Sequence, residues 1–128
     1  MKNKIDNIAG GLLGLLFLIF AANFFLHFIP MPPLPEGTPA AAFMGAMYGA
    51  GYLTFVKVIE IIGALLIAIP KTRNLGLLFL GPIVINILAF HTFLTGGHGL
   101  TDPPVILITL LSAFLLWSGR SSFAKLIN

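Results

Sequence analysis

The chain has 128 residues, of which 58% are apolar and 9% charged, with seven Lys and Arg against four Asp and Glu. That balance excludes an ordinary soluble domain and points to a polytopic membrane protein forming a single domain over residues 1–128. The few basic residues stand at segment ends, which argues against a nucleic-acid partner, and the lack of cysteine excludes disulfides, thiol redox chemistry, thiolate metal sites and thioether-linked haem.

Lys2 and Lys4 precede a first apolar segment at about 8–29. A basic start and an apolar core resemble a signal peptide, but the run is longer than a signal core and no A-x-A site ends it, so a retained helix is expected. Residues 30–39 hold five prolines and cannot form a regular helix; they read as an extended or turning outer loop. The Ala, Met and Gly-rich stretch that follows predicts a short interfacial helix that either bends at Gly49 and Gly51, the preferred reading, or runs straight into the second span. A second span is expected at about 48–69, a third at about 75–94 and a fourth at about 104–118. At 1.5 Å per residue the first three reach roughly 30 Å, the thickness of a hydrocarbon core. Pro82 predicts a kink in the third span, because the carbonyl of Leu78 loses its helical partner. Pro103 and Pro104 suit the first turn of the fourth, with Thr101 or Asp102 as its cap.

Lys2 and Lys4, then Lys71 and Arg73, then Arg120 and Lys125 all fall on one side if there are four spans. That side is expected to be cytoplasmic. The fold expected is therefore an all-α membrane protein, an antiparallel four-helix transmembrane bundle with both termini cytoplasmic. Tyr48 and Tyr52 at the outer boundary and Trp117 at the inner one fit an interfacial aromatic belt. Gly10 and Gly14, and likewise Gly45 and Gly49, are spaced for close backbone approach, either within the bundle or against a second copy.

Lys57 is the one basic residue left inside a span, with Glu60 one helical turn further on. Ionisable side chains at such depth mark either a functional site or a structural pair that fixes helix rotation, and both readings stay open at this point. Counting from the cytoplasmic ends puts Glu60 about 14 Å above the inner boundary, Asn86 about 17 Å, Lys57 about 18 Å, Asn23 about 22 Å and His91 about 24 Å. His27 comes nearer still to the outer surface. A bundle that turns these six inward gains a continuous polar band from mid-bilayer outward. Lys57 and Glu60 share a helix face, as do Asn23 and His27, whereas Asn86 and His91 lie about 140° apart. No metal site is expected from His27, His91 and His98, whose spacing is irregular. Below Glu60 the second span is wholly apolar, which argues against an open channel.

Four stretches, Phe24-Phe-Leu-His-Phe-Ile-Pro-Met-Pro-Pro-Leu-Pro-Glu-Gly37, Gly51-Tyr52, Lys57-x-x-Glu60-x-x-Gly63 and Gly81-Pro-Ile-Val-Ile-Asn-Ile-Leu-Ala-Phe-His91, resemble the DoxX family of small bacterial membrane proteins. The resemblance covers nearly the whole chain. It implies a four-span bundle in the bacterial cytoplasmic membrane, and members that resemble accessory parts of quinone-linked oxidoreductase complexes. The function expected is an accessory or scaffold subunit of a membrane redox complex, with a polar pocket open to the outer side and no catalysis of its own. The alternatives are a quinone-linked oxidoreductase component that binds a quinone or lipid at Lys57, Glu60, Asn86 and His91, and a small-solute or proton transporter. No bound cofactor is expected; a quinone head group is the small molecule the band would suit. The partners expected are the bilayer, redox-complex proteins and a second copy of the chain.

Overall fold

A computed structural model describes residues 4–31 and 33–127. Lys2 and Pro32 therefore lie outside the described residues. Every regular element among them is helical: α1 (Lys4–Leu26), α2 (Pro39–Gly49), α3 (Tyr52–Ala68), α4 (Arg73–Ala89), α5 (Pro103–Ser118) and α6 (Arg120–Ala124). A 3-10 turn at Pro70–Thr72 leads into α4, and a π turn at Phe90–Leu94 follows it.

α1 begins with Asp6 in its first turn, where a carboxylate meets the positive end of the helix dipole. It stops three residues short of the expected boundary at residue 29. His27 takes a left-handed backbone with φ 56°, its N–H still bonds to the Asn23 carbonyl at 2.7 Å, and the chain turns into the proline-rich loop. α2 starts at Pro39, whose missing N–H costs nothing in a first turn. Thr38 caps it, accepting from the Ala41 N–H at 3.2 Å and donating to the Pro35 carbonyl at 2.7 Å. Between α2 and α3 the chain bends by 82° through Ala50 and Gly51, the latter at φ 81°. The bend expected at Gly49 and Gly51 is present. It removes residues 48–51 from the second apolar run, so α3 is 17 residues long.

α4 carries Pro82 within an unbroken helix. The widened turn comes later, at 90–94, where the Thr95 N–H reaches five residues back to the Phe90 carbonyl at 3.3 Å. Pro103 and Pro104 open α5 as expected, with Asp102 at the cap position but without a side-chain cap bond. Gly119 ends that helix, and a side chain there would meet Asn74 Oδ1 at the start of α4.

Contacts close a ring in which α1 and α4 each touch both α3 and α5. The core lies inside it: Leu13 and Phe17 of α1, Ala64 and Ile67 of α3, Leu77, Leu80 and Val84 of α4, and Ile108 and Leu115 of α5. Small residues set the spacing. A Cβ on Gly14 would lie 2.8 Å from the Ala64 carbonyl oxygen, and one on Gly76 would lie 2.6 Å from the Ile67 nitrogen. Gly10 and Gly14 thus pack within the bundle, whereas Gly45 and Gly49 of α2 face open space. α2 lies across the far end, with Phe24 of α1 against its Tyr48 and its Phe43 against Phe90, both at 5.9 Å between ring centroids.

α1 and the continuous helix Pro70–Leu94 are long and apolar enough to cross a membrane. The bent pair α2–α3 makes a third if it counts as one span, and α5 is a shorter apolar helix.

Candidate functional site

Glu60, Gly63, Ala64 and Ile67 are the buried residues of α3. Their spacing of three and four places them on one face, the face turned to the core. Glu60 is therefore carried into the bundle by the same periodicity that buries its apolar neighbours, and it is 5% exposed. Lys57 stands one turn earlier at the edge of that face, with 20% of its side chain exposed. Its Nζ donates to Glu60 Oε1 at 3.4 Å. Side chains on a helix lean toward its N-terminus, so Glu60 leans toward Lys57 and Lys57 toward Tyr52, the first residue of α3. The structure brings this pair together.

The other four candidates do not join it. Asn23 is buried, but its amide serves the end of its own helix, accepting from the Ile29 N–H at 2.6 Å and donating to the Ile29 carbonyl at 3.2 Å. His27, two residues before Ile29, is exposed in the left-handed turn that this closure fixes. Asn86 is exposed, and its amide donates to the Pro82 carbonyl at 2.8 Å. The reason is angular: Val84 belongs to the buried face of α4, and two further residues turn the helix by about 200°, so Asn86 points out. His91 falls in the π turn, half-buried, with Nδ1 3.0 Å from the His98 carbonyl oxygen. The continuous polar band expected from depth alone is thus one ion pair and several local bonds, because depth along an axis says nothing of direction around it.

A second polar cluster, at the opposite end, was not foreseen. Asp6 and Arg73 are each 2% exposed. Arg73, the first residue of α4, folds back over the end of α3: Nε donates to the Ile67 carbonyl at 2.8 Å and Nη2 to that of Ala68 at 3.2 Å. These are carbonyls that the end of α3 leaves without helical partners, where a cation is also favoured by the dipole. Nη1 donates to Asn7 Oδ1 at 3.1 Å, and Asp6 lies close enough to act on the guanidinium charge. On the other side Ser118 Oγ, at the end of α5, donates to Asp6 Oδ1 at 2.8 Å. Gly10 makes room, since a Cβ there would run into the guanidinium. All four ring helices are tied at one end by this cluster, which requires neighbours in the ring to run in opposite directions.

The sequence held two signals for it. Asp6 is an acidic residue in the first turn of an otherwise apolar helix, and Arg73 follows a Pro-x-Thr turn at which a basic residue faces the last carbonyls of the helix before. Chemically, Arg73 spends three hydrogen bonds inside its cluster, and Lys57 is bonded to Glu60 within one helix. Among the described residues no three His, Asp or Glu side chains are grouped to hold a metal ion. Comparison with protein families, with curated proteins and with solved structures finds no match to this chain.

Proposed function

We propose that this chain is a four-span integral membrane protein of DoxX-like type, with both termini cytoplasmic in a bacterial inner membrane, acting as an accessory or scaffold subunit of a membrane redox complex. Its membrane character is supported by an inverted distribution of side chains. Asp6, Asn23, Glu60 and Arg73 are buried, while Ile8, Leu15, Phe55, Leu65, Leu78, Ile85 and Leu110 are exposed along the helices. In water that arrangement costs free energy twice; in lipid the apolar surface costs nothing and the polar groups need partners inside. The orientation is supported by the exposed Lys4, Lys71, Arg120 and Lys125 at the Asp6–Arg73 end and by Glu36 and Asp102 at the other.

The observation that carries the scaffold reading is that the polar candidates bond locally. Lys57 bonds to Glu60, Asn23 to Ile29, Asn86 to Pro82 and His91 to His98, each within its own helix or the loop beside it. Groups so engaged have their hydrogen bonds taken up within the chain, which favours a structural role over a ligand site.

The test is purification in mild detergent of wild type and Glu60→Gln, with mass spectrometry of what comes with them. One protein partner retained by both supports the scaffold reading. A quinone retained by wild type and lost from a folded Glu60→Gln protein replaces it with the quinone-linked one.

A further inference from the structure

At the Asp6–Arg73 end a groove of about 470 Å³ opens between α1 and the corner where α5 turns into α6. Its polar wall is Ser118, Arg120 and Ser121, its apolar wall Ile5, Phe114 and Trp117, and Asp6 lies at the back. Arg120 is held in place: Nη1 donates to the Trp117 carbonyl at 2.8 Å, and the guanidinium carbon stands 4.1 Å from the centre of the Trp117 ring. A guanidinium clamped by one N–H and one aromatic face keeps the rest of its fork for a planar or tetrahedral anion, with less side-chain entropy to lose on binding. The Asp6 carboxylate accepts from Ser118 and acts on the Arg73 charge, so its field is shared with a second guanidinium. Lys4, Lys71 and Lys125, all exposed, add positive field at the same end.

Two apolar stripes run from the groove along the helices. On α1 they are Ile5, Ile8 and Leu12, on α5 Trp117, Phe114 and Leu110, each spaced three and then four residues, so each set shares one face. The groove therefore has a fixed cation and hydroxyls at the mouth, and exposed apolar residues continue beyond it on both helices.

We propose that this groove binds one anionic phospholipid of the cytoplasmic leaflet, with its phosphodiester on Arg120 and Ser121 and its acyl chains between the two stripes. The proposal rests on the membrane reading given above.

Delipidated protein titrated with phosphatidylglycerol or phosphatidylcholine, and followed by native mass spectrometry, tests it. Wild type is expected to take up a first phosphatidylglycerol ahead of phosphatidylcholine. Arg120→Gln is expected to weaken that first binding roughly fivefold or more, the worth of one basic side chain at an anionic lipid surface. Trp117→Leu, which changes no charge, weakens it in the same direction by releasing Arg120. Ser121→Ala, at an exposed position that does not threaten folding, weakens it less. Lys125→Gln, which only thins the surrounding positive field, weakens it less than Arg120→Gln does. Equal binding by wild type and Arg120→Gln overturns the proposal, as does a loss in Lys125→Gln equal to that in Arg120→Gln, which means diffuse attraction. Displacement of the lipid by millimolar inorganic phosphate overturns it too, in favour of a soluble phosphate. Release of the wild-type chain from membranes by alkaline carbonate sinks the membrane reading itself, whereas a retained chain with no preference for phosphatidylglycerol sinks the groove alone.

Discussion

Arg73→Gln is the sharpest perturbation of this fold. The guanidinium is 2% exposed and makes three hydrogen bonds, to the carbonyls of Ile67 and Ala68 and to Asn7, at 2.8 to 3.2 Å. Glutamine reaches at most one of those acceptors and carries no charge. The substitution leaves at least two of the three acceptors, one helix-end carbonyl or both among them, without their donor and removes the cation that acts on buried Asp6. Each buried hydrogen-bond partner left unsatisfied costs about 1–3 kcal/mol, and the lower end applies in detergent, where unfolded polar groups also find partners. Unfolding by SDS titration in mixed micelles, followed by circular dichroism, is expected to show a loss of roughly 2–3 kcal/mol. Arg73→Lys keeps the charge but not the fork, so roughly half of that loss is expected. Asp6→Asn combined with Arg73→Gln is expected to be less destabilising than the two single effects added, since the carboxylate no longer lacks its cation. A loss below about 1 kcal/mol in Arg73→Gln, the value for exposed ion pairs, would refute the argument that this cluster ties the four helices at one end.

Gly76→Ala places a Cβ 2.6 Å from the Ile67 nitrogen and 2.9 Å from its Cα, both backbone atoms, so α3 and α4 must separate. A loss of about 1–3 kcal/mol is expected by the same titration, whereas Gly45→Ala, with nothing within 4 Å, is expected to be neutral or stabilising. Thr38→Ala removes the cap of α2 and is expected to cost about 1 kcal/mol, seen as faster amide exchange confined to residues 40–42. Asn23→Ala frees Ile29 from both of its bonds and is expected to speed proteolysis in the loop that follows while leaving the bundle folded.

Composition and run length made legible the all-helical character and the presence of helices long and apolar enough to cross a membrane. The bend before α3 was legible too, since Gly49 and Gly51 flank a point where an interfacial helix must turn inward. The directions of side chains around each helix were less so. Asn86 shares its depth with Lys57, yet the buried positions Gly76, Leu80 and Val84 define a face from which Asn86 is turned away. The amphipathic pattern of a lipid-facing helix is faint, as both faces are apolar, and small residues rather than polarity mark the inner one. Arg73 was read only as a topology charge because a basic residue beside a turn looks the same in sequence whether it meets water or caps a neighbouring helix.

The bend also changes what Lys57 means. If the second span is taken from residue 48, Lys57 is roughly nine residues inside, and its charge looks stranded. α3 begins at Tyr52, so the Lys57 backbone lies about 7–8 Å below the outer end of that helix, and its side chain leans toward that end. A lysine stem spans most of that distance, so the ammonium can reach the interface while its stem lies along apolar surface, and the cost of depth largely disappears. Glu60, about 12 Å below the end, is 5% exposed and bonded to Lys57. The absence of native cysteine makes this directly measurable. Lys57→Cys is expected to react with a membrane-impermeant thiol reagent added from outside, and Glu60→Cys to react at least tenfold more slowly, in line with the ratio expected for about 1.4 kcal/mol or more of difference in access. Equal protection of both positions would place Lys57 in a dry interior and return the pair to the rank of a deeply buried charge that function has to explain.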